Sequence, residues 1–224
     1  MQGEKAHHLG VVLRAQAGQQ YELSDGTRVY LGRVETVTRD QVEFVLLEEL
    51  PAYEPPVHTT LLLSIVKFDA FEWAIEKATE LGVSEIVPLA AARSEKGLLA
   101  AAGKRAERWQ KIILEASQQS RRVRLPTLQP LTKPEAAFLS HKEQLGVFLS
   151  ERADAPPLRQ VLGAVSAAVP EAVLAIGPEG GWTGEEVELA LKSGFREASL
   201  GRLILRTETA VVSALASLSY ALNG

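Results

Sequence analysis

Residues 171–192 read EAVLAIGPEGGWTGEEVELALK, and this stretch decides the fold class. The apolar run at residues 172–176 predicts a buried β-strand, and a glycine-rich loop follows it at residues 177–181. Thr183 and Glu186 have the spacing of a capping box, which predicts a helix that continues to about Lys192. A strand, a loop and a helix in this order are typical of an α/β sheet, whose ligands bind beyond the carboxyl ends of its strands.

The same alternation of strand and helix extends in both directions from this stretch. Further strands are predicted at residues 59–66, 84–89, 146–150 and 198–200, and further helices at residues 69–81, 104–120 and 207–222. Asp69 and Glu72 also have capping-box spacing, at the start of the first of these helices. The pattern predicts an α/β domain with a mainly parallel sheet.

The first 50 residues have a different pattern, without long helices. Apolar segments at residues 11–13, 21–23, 29–34 and 42–45 indicate short strands, and Asp25-Gly26 between two of them is a strong hairpin signal. These strands predict a small β-barrel or sandwich. Three prolines in residues 51–56 indicate a linker between this part and the α/β domain.

The composition narrows the possible functions. The chain has 224 residues, a net charge of −4 and no cysteine, which excludes a generally basic nucleic-acid coat, disulfides and a cysteine nucleophile. The histidines show no spacing of metal ligands, so we expect no metal site. No apolar run reaches the roughly 18 residues of a membrane span, and the polar start is unlike a secretory signal. We therefore expect a soluble cytoplasmic protein without a membrane partner.

The glycine loop at residues 177–181 is the first candidate site. Adjacent Gly180 and Gly181 permit positive φ angles and let backbone amides approach a ligand closely. The spacing matches neither a dinucleotide fingerprint nor a P-loop, so it does not indicate phosphate binding. A tight turn without a ligand fits the pattern equally well.

The polar block Arg206-Thr207-Glu208-Thr209 is the second candidate site, because it interrupts apolar sequence on both sides. In a structural interpretation, Thr207 caps the last helix and Glu208 pairs with Arg206 in its first turn. In a functional interpretation, Arg206 is held beside the glycine loop. The pattern alone leaves both interpretations open.

Basic residues are concentrated in residues 104–124, which contain seven lysines or arginines, two glutamates and a net charge of +5. Together with Trp109, this segment suits contact with phosphates. A solvated helix face explains the same composition.

Several stretches match motifs of a known family. They are residues 76–83 (EKATELGV), 115–126 (EASQQSRRVRLP), 176–181 (IGPEGG) and 200–210 (LGRLILRTETA), and residues 8–14 (HLGVVLR) match an entry motif. The chain resembles the ribosomal small subunit methyltransferase E family. The usual Ser-Glu-Arg of that family is Ala91-Ala92-Arg93 here, so only the arginine carries over.

The resemblance implies both a fold and a reaction. The fold would be a SPOUT α/β methyltransferase domain over residues 58–224 with a deep trefoil knot at its carboxyl end, preceded by a PUA-like RNA-binding β-barrel over residues 1–57. The reaction would be methylation of N3 of a specific uridine in 16S ribosomal RNA, with S-adenosylmethionine as the cofactor. The implied partners are 16S ribosomal RNA or the small ribosomal subunit, and a second copy of the chain in a homodimer.

The resemblance also assigns site residues. Arg206 would stabilise the uracil anion, and Glu208 would orient Arg206 or relay the proton. Attack by N3 needs no covalent adduct, which fits the lack of cysteine. The expected cofactor-binding residues are Leu149, Ile176, Gly177, Glu179, Gly181, Leu200, Gly201, Ile204 and Leu205. The expected RNA-binding residues are Arg14, Arg93, Arg121, Arg122 and Arg124.

Two other functions stay open from the sequence. A SPOUT enzyme that methylates a ribose 2′-hydroxyl would use the same pocket with another acceptor. A non-catalytic RNA-binding or ribosome assembly factor would keep the fold and not bind the cofactor. In the uridine methyltransferase that the resemblance implies, residues 1–57, with five basic and nine acidic residues, would contribute shape more than charge to RNA contact.

Overall fold

The computed structural model describes residues 1–142, 144–165 and 169–222. The chain divides into two compact units, Met1–Glu54 and Pro55–Gly224. The linker expected at residues 51–56 contains this division.

The first unit is built on an antiparallel sheet. It comprises helix α1 (Glu4–His7), a π-helical turn (His8–Val12) and the strands β1 (Gln20–Ser24), β2 (Val29–Val37) and β3 (Val42–Leu50). The sheet order is β1-β2-β3, so β1 and β3 are edge strands and the sheet is open rather than a closed barrel. Its core contains Ala6, Leu9, Ala15, Val34 and Val42.

The strand expected at residues 11–13 is wrong. The backbone N–H of Leu13 donates to the carbonyl oxygen of His8 at 3.0 Å, and Leu9 is buried while Val11 and Val12 are exposed. Consecutive apolar residues lack the alternation that a half-buried strand requires. Local helical hydrogen bonds therefore satisfy this part of the backbone instead of a ladder.

The expected hairpin is confirmed, with β1 and β2 paired antiparallel so that Ser24 lies opposite Val29. Asp25 Oδ1 accepts hydrogen bonds from the backbone N–H groups of Thr27 at 2.8 Å and Arg28 at 2.7 Å. These bonds, above all the one from Arg28, lower the pKa of Asp25 from 3.8 to about 2. The carboxylate of Asp25 thus stabilises the turn when it is ionised.

The second unit alternates strands and helices, as expected. Its strands are β4 (His58–Ser64), β5 (Glu85–Leu89), β6 (Thr127–Leu128), β7 (Leu145–Leu149), β8 (Glu171–Ile176) and β9 (Arg196–Ala198). Its helices are α2 (Phe68–Glu80), α3 (Lys96–Ala102), α4 (Ala106–Gln119), α5 (Pro134–Ser140), α6 (Leu158–Gly163), α7 (Gly184–Lys192) and α8 (Thr207–Leu222), with a 3₁₀ turn at Gly103–Arg105. All pairings in the sheet are parallel, in the order β6-β5-β4-β8-β7-β9.

Helices cover both faces of this sheet. On β4, Leu61 and Leu63 belong to a core that includes residues of α2, α4, α6 and α8, whereas Leu62 belongs to a second core with residues of α5 and α7. Successive side chains of a strand point to opposite faces, so the continuous apolar run of β4 fills both cores. The architecture is three layers, α/β/α.

Of the two expected capping boxes, the one on α7 is confirmed and the one on α2 is wrong. Thr183 Oγ1 accepts from the backbone N–H of Glu186 at 3.2 Å, and Glu186 Oε2 accepts from the N–H of Thr183 at 2.8 Å. Helix α2 begins at Phe68, so Asp69 is already in the first turn. Its negative charge there still interacts favourably with the helix dipole. Glu72 forms ion pairs with arginines instead of returning to a cap.

Candidate functional site

A cleft of about 1220 Å³ lies at the carboxyl edge of the six-stranded sheet. Its lining comes from the loops that follow β4, β5, β7, β8 and β9, and from the first turns of α2 and α8. Parallel strands place all their carboxyl ends at one edge, so loops distant in sequence meet there. This is where an open α/β sheet binds ligands.

The glycine loop forms one wall of the cleft. The N–H of Gly181 donates to the carbonyl oxygen of Pro178 at 2.8 Å, and Gly181 has a φ of +68°, which glycine adopts without a steric penalty. Arg93 Nη1 donates to the carbonyl oxygen of Gly180 at 2.8 Å. The tight turn and the contact with another loop are therefore both present.

Trp182 lies directly after this loop and was missed by sequence reasoning. Its indole Nε1 donates to the carbonyl oxygen of Leu149 at 2.8 Å. A Cβ atom on Gly177 would lie 3.0 Å from Cε2 of the same indole. The aromatic residue directly after IGPEGG is the sequence signal that could have identified it.

The loop after β9 forms another part of the lining. Gly201 has a φ of +127°, and Ser199 Oγ accepts from its N–H at 3.2 Å. The next apolar side chains are exposed to solvent at the cleft, with Leu203 at 82% and Ile204 at 81%. Among the described residues, the N–H groups of Leu203, Ile204 and Leu205 have no hydrogen-bond partner, so they are available to a ligand.

Arg206 and Glu208 both line the cleft where α8 begins. Arg206 is exposed and Glu208 is half-buried, and no ion pair joins them within the described ranges. The helix begins at Thr207 itself, which is buried, and the carbonyl oxygen of Arg206 accepts from Ala210 at 2.9 Å. Of the two interpretations left open by the sequence, the structural one is therefore wrong, because Arg206 and not Thr207 occupies the position before the first helical residue and Arg206 forms no ion pair with Glu208 in the described ranges.

The structure brings the expected cofactor residues together, since every one of them lines the same cleft. They are Leu149 at the end of β7, the residues Ile176, Gly177, Glu179 and Gly181 at and after the end of β8, and the residues Leu200, Gly201, Ile204 and Leu205 after β9.

Unlike the expected cofactor residues, the expected RNA-binding arginines do not all line the cleft. Arg93 lines the cleft, whereas Arg121, Arg122 and Arg124 lie after the end of α4 and do not line it. Arg14 belongs to the first unit.

Arg122 has a structural task in the second unit. Its Nη1 donates to the carbonyl oxygens of Thr79 at 2.9 Å and Val83 at 2.6 Å, at the end of α2. Burial lowers the pKa of Arg122 from its ordinary value. Both hydrogens of Nη1 are used by these carbonyls and the side chain is half-buried, so the geometry disfavours Arg122 as an RNA ligand.

The basic segment is partly neutralised by an acidic residue outside it. Buried Glu72 of α2 accepts from Arg105 Nη1 at 3.3 Å and from Arg108 Nε at 2.7 Å. The bond to Glu72 raises the pKa of Arg108. Sequence reasoning counted charges along residues 104–124 alone and could not see this partner from α2.

Sequence reasoning also missed residues at the start of α2. Lys67, Asp69, Ala70 and Trp73 line the cleft. Their position directly after the first strand of the α/β domain is the signal that could have identified them, because that strand ends at the same sheet edge as β8.

Two features of residues 1–142, 144–165 and 169–222 concern membrane and metal binding. No helix there is both long and apolar enough to cross a membrane. No group of three or more histidine, aspartate or glutamate side chains there could hold a metal ion.

Comparisons with known proteins match both units. A family model for an RNA methyltransferase domain matches residues 53–219, and a model for an RNA methyltransferase PUA domain matches residues 2–47. The ribosomal RNA small subunit methyltransferase E of Synechocystis is 36% identical, over 97% of this chain and 71% of the relative. The enzyme of that name from Bacillus subtilis is 31% identical, over 97% of this chain and 88% of the relative.

Solved structures resemble the whole chain as well. A ribosomal RNA small subunit methyltransferase E from Neisseria gonorrhoeae, bound to S-adenosyl methionine, has a TM-score of 0.87 at 30% identity and covers 98% of this chain and 90% of that one. A methyltransferase from Legionella pneumophila in complex with the same cofactor has a TM-score of 0.85 at 32% identity, covering 97% of this chain and 89% of that one.

Proposed function

This chain belongs to the ribosomal RNA small subunit methyltransferase E family, and we propose that it methylates N3 of a specific uridine in 16S ribosomal RNA. It is an S-adenosylmethionine-dependent ribosomal RNA methyltransferase, as its relatives are. The proposal adds two points to the family assignment: the methyl group goes to N3, and the acceptor is one specific uridine.

One observation carries the proposal: the polar block of α8 opens onto the same cleft as the glycine loop. Arg206 and Glu208 line the cleft together with Gly177 and Gly181, although about 25 residues separate the two segments. An arginine and a carboxylate beside a pocket with backbone donors suit a reaction in which a weak acid loses its proton and attacks an electrophile.

The residues present fit S-adenosylmethionine. This cofactor has no phosphate, and the cleft offers apolar walls at Leu149, Ile176 and Leu200 together with the unpartnered N–H groups after Gly201. The absence of a side chain at Gly201 leaves its backbone accessible, because a Cβ atom there would have no neighbour within 4 Å. When bound there, the cofactor would supply an electrophilic methyl group.

The protein's own residues would activate the base. N3 of uracil is mostly protonated at neutral pH and is a poor nucleophile in that form. The exposed guanidinium of Arg206 would stabilise the anion on the uracil oxygens, and a carboxylate oxygen of Glu208 would accept the N3 proton or orient Arg206. The loops at the sheet edge hold these groups in fixed positions, which adds proximity catalysis.

RNA contact would centre on the cleft and the segment after α4. We propose Arg93, Arg121 and Arg124 in the second unit and Arg14 in the first as phosphate ligands. Arg122 leaves this group because it is half-buried and its Nη1 donates to two carbonyls, whereas Arg93 is exposed and its Nη1 donates to one. Contacts of this kind predict an RNA affinity that falls steeply with salt.

The proposal also covers the topology, the domain bounds, the oligomeric state and the location of the protein. We propose a trefoil knot at the carboxyl end, a PUA-like RNA-binding domain over residues 1–57, a methyltransferase domain over residues 58–224, a homodimer and a cytoplasmic location. The exposed Leu203 and Ile204 would be covered by a second copy.

Mass spectrometry of nucleosides tests the proposal. Small-subunit RNA, free and in assembled particles, is incubated with the protein and S-adenosylmethionine carrying a labelled methyl group. The proposal expects labelled 3-methyluridine. A labelled ribose 2′-O-methyl nucleoside would overturn it in favour of the ribose reaction, and no label combined with no cofactor binding in calorimetry would favour a non-catalytic factor.

A further inference from the structure

We propose that Trp182 is a positioning residue for the cofactor site, because its indole fastens the loop after β7 to the loop after β8. The inference rests on the proposed function, since it concerns how firmly the cleft is shaped for S-adenosylmethionine. Trp182 itself is half-buried and lines the cleft.

The hydrogen bond of the indole joins the ends of two neighbouring strands. Nε1 donates to the carbonyl oxygen of Leu149, the last residue of β7, at 2.8 Å. Trp182 follows the glycine loop that begins where β8 ends at Ile176. A single side chain therefore sets the separation of two loops that both line the cleft.

The indole also packs against the backbone of the glycine loop. A Cβ atom on Gly177 would lie 3.0 Å from Cε2 and 3.1 Å from Nε1 of Trp182, closer than nine in ten real Cβ contacts. Because position 177 is a glycine, there is room for the indole beside the backbone. The ring and the loop are shaped to each other, which is the relation expected of a pre-organised binding wall.

Trp182 is itself held in place by its neighbour at the start of α7 and by a ring contact with α5. Thr183, the next residue, caps α7 through its reciprocal hydrogen bonds with Glu186. The indole contacts Phe138 of α5 with ring centroids 6.0 Å apart, and Phe138 packs on Phe195 at 4.9 Å. These contacts fix the ring, so its N–H can in turn fix the carbonyl of Leu149.

Replacement by phenylalanine separates the two roles of the side chain. Trp182→Phe keeps an aromatic ring against Phe138 and loses the N–H that binds Leu149. We expect the dissociation constant for S-adenosylmethionine, measured by calorimetry, to rise about fivefold, which is the typical effect of one lost hydrogen bond. KM for the cofactor should rise by a similar factor while kcat stays near wild type, because the substitution leaves Arg206 and Glu208 in place.

Trp109→Phe is the matched control. The Nε1 of Trp109 is buried without a hydrogen-bond partner among the described residues, so the same substitution there removes no such bond. Its cofactor affinity should equal that of the wild type. The thermal midpoint of each variant without cofactor reports any general loss of stability.

The outcomes separate this inference from the proposed function. Weaker cofactor binding in Trp182→Phe, with a thermal midpoint near that of Trp109→Phe, supports the positioning role. Wild-type affinity in Trp182→Phe overturns it and leaves the proposed function intact, as does a lower thermal midpoint without a change in affinity. Failure of the wild-type protein itself to bind S-adenosylmethionine overturns the proposed function.

Discussion

Arg93 and Gly180 are 87 residues apart in sequence, and Nη1 of the arginine donates to the carbonyl oxygen of the glycine at 2.8 Å. A Cβ atom on Gly180 would lie 3.2 Å from Cβ of Arg93, so the glycine permits this approach. Nearby, the N–H of Ala92 donates to Glu186 Oε1 at 2.8 Å. The loop after β5 is thereby fastened to the glycine loop and to the start of α7, so Arg93 shapes the cleft in addition to its proposed contact with RNA.

Substitution of Arg93 should weaken two kinds of binding. In Arg93→Ala the carbonyl of Gly180 loses its donor, and we expect the dissociation constant for S-adenosylmethionine to rise about fivefold. RNA affinity should also fall, with a shallower dependence on salt because one phosphate contact is lost. Arg93→Lys, which keeps the charge, should retain the salt dependence. Cofactor affinity unchanged in Arg93→Ala would show that the contact with Gly180 does not shape the site.

Glu72 should contribute to stability through its two arginine partners. Glu72→Gln removes the negative charge that Arg105 and Arg108 face, at a site where the carboxylate is buried. We expect the free energy of unfolding to fall by about 1–3 kcal/mol in urea denaturation. Glu115→Gln is the control, because its partner Lys111 is 3.8 Å away and both are exposed. Its effect should stay within about 0.5 kcal/mol, and equal stability of the two variants would contradict the role of Glu72.

The sequence was most informative where local signals agreed with one another. The capping box of Thr183 and Glu186, the apolar run of β4 and the hairpin at Asp25 are each contained in a few neighbouring residues, and each is present. The residues expected to bind the cofactor also line one cleft, because the strand pattern places their loops at one sheet edge.

Contacts between distant segments could not be predicted in this way. Arg122 looked like a phosphate ligand because a charged side chain in sequence does not reveal the carbonyls of Thr79 and Val83 that it binds. Asp69 and Glu72 had the spacing of a capping box, but Glu72 makes tertiary ion pairs with α4 and its neighbouring turn. In each case a partner from another element decided the role.

Arg122 should therefore affect stability more than RNA binding. Arg122→Ala leaves two carbonyls at the end of α2 without their donor, and we expect the free energy of unfolding to fall by about 1–3 kcal/mol in urea denaturation. Arg122→Lys keeps a positive charge and should recover part of that loss. A large decrease in RNA affinity at unchanged stability would instead return Arg122 to the group of phosphate ligands.

The turn at Asp25 should make stability depend on pH in the acidic range. The pKa of Asp25 is about 2 in the folded protein against 3.8 ordinarily, so its contribution is full above pH 3.8 and is lost as the pH falls towards 2. Asp25→Asn keeps an acceptor oxygen but does not ionise. Urea denaturation between pH 5 and about pH 2 should show a smaller decrease in stability for this variant. Identical pH dependence in both proteins would exclude Asp25 as the source.

Arg206 should be needed for methyl transfer and not for cofactor binding. Arg206→Ala removes the guanidinium proposed to stabilise the uracil anion, and we expect kcat to fall by about 10²–10³, as for other lost anion-stabilising donors. Calorimetry should give a dissociation constant for S-adenosylmethionine near that of the wild type, because the apolar walls and the N–H groups of Leu203 to Leu205 remain. Arg206→Lys keeps the charge without the planar fork and should recover part of the rate. Full activity of Arg206→Ala would rule out this mechanism, and loss of cofactor binding would place Arg206 among the cofactor ligands instead.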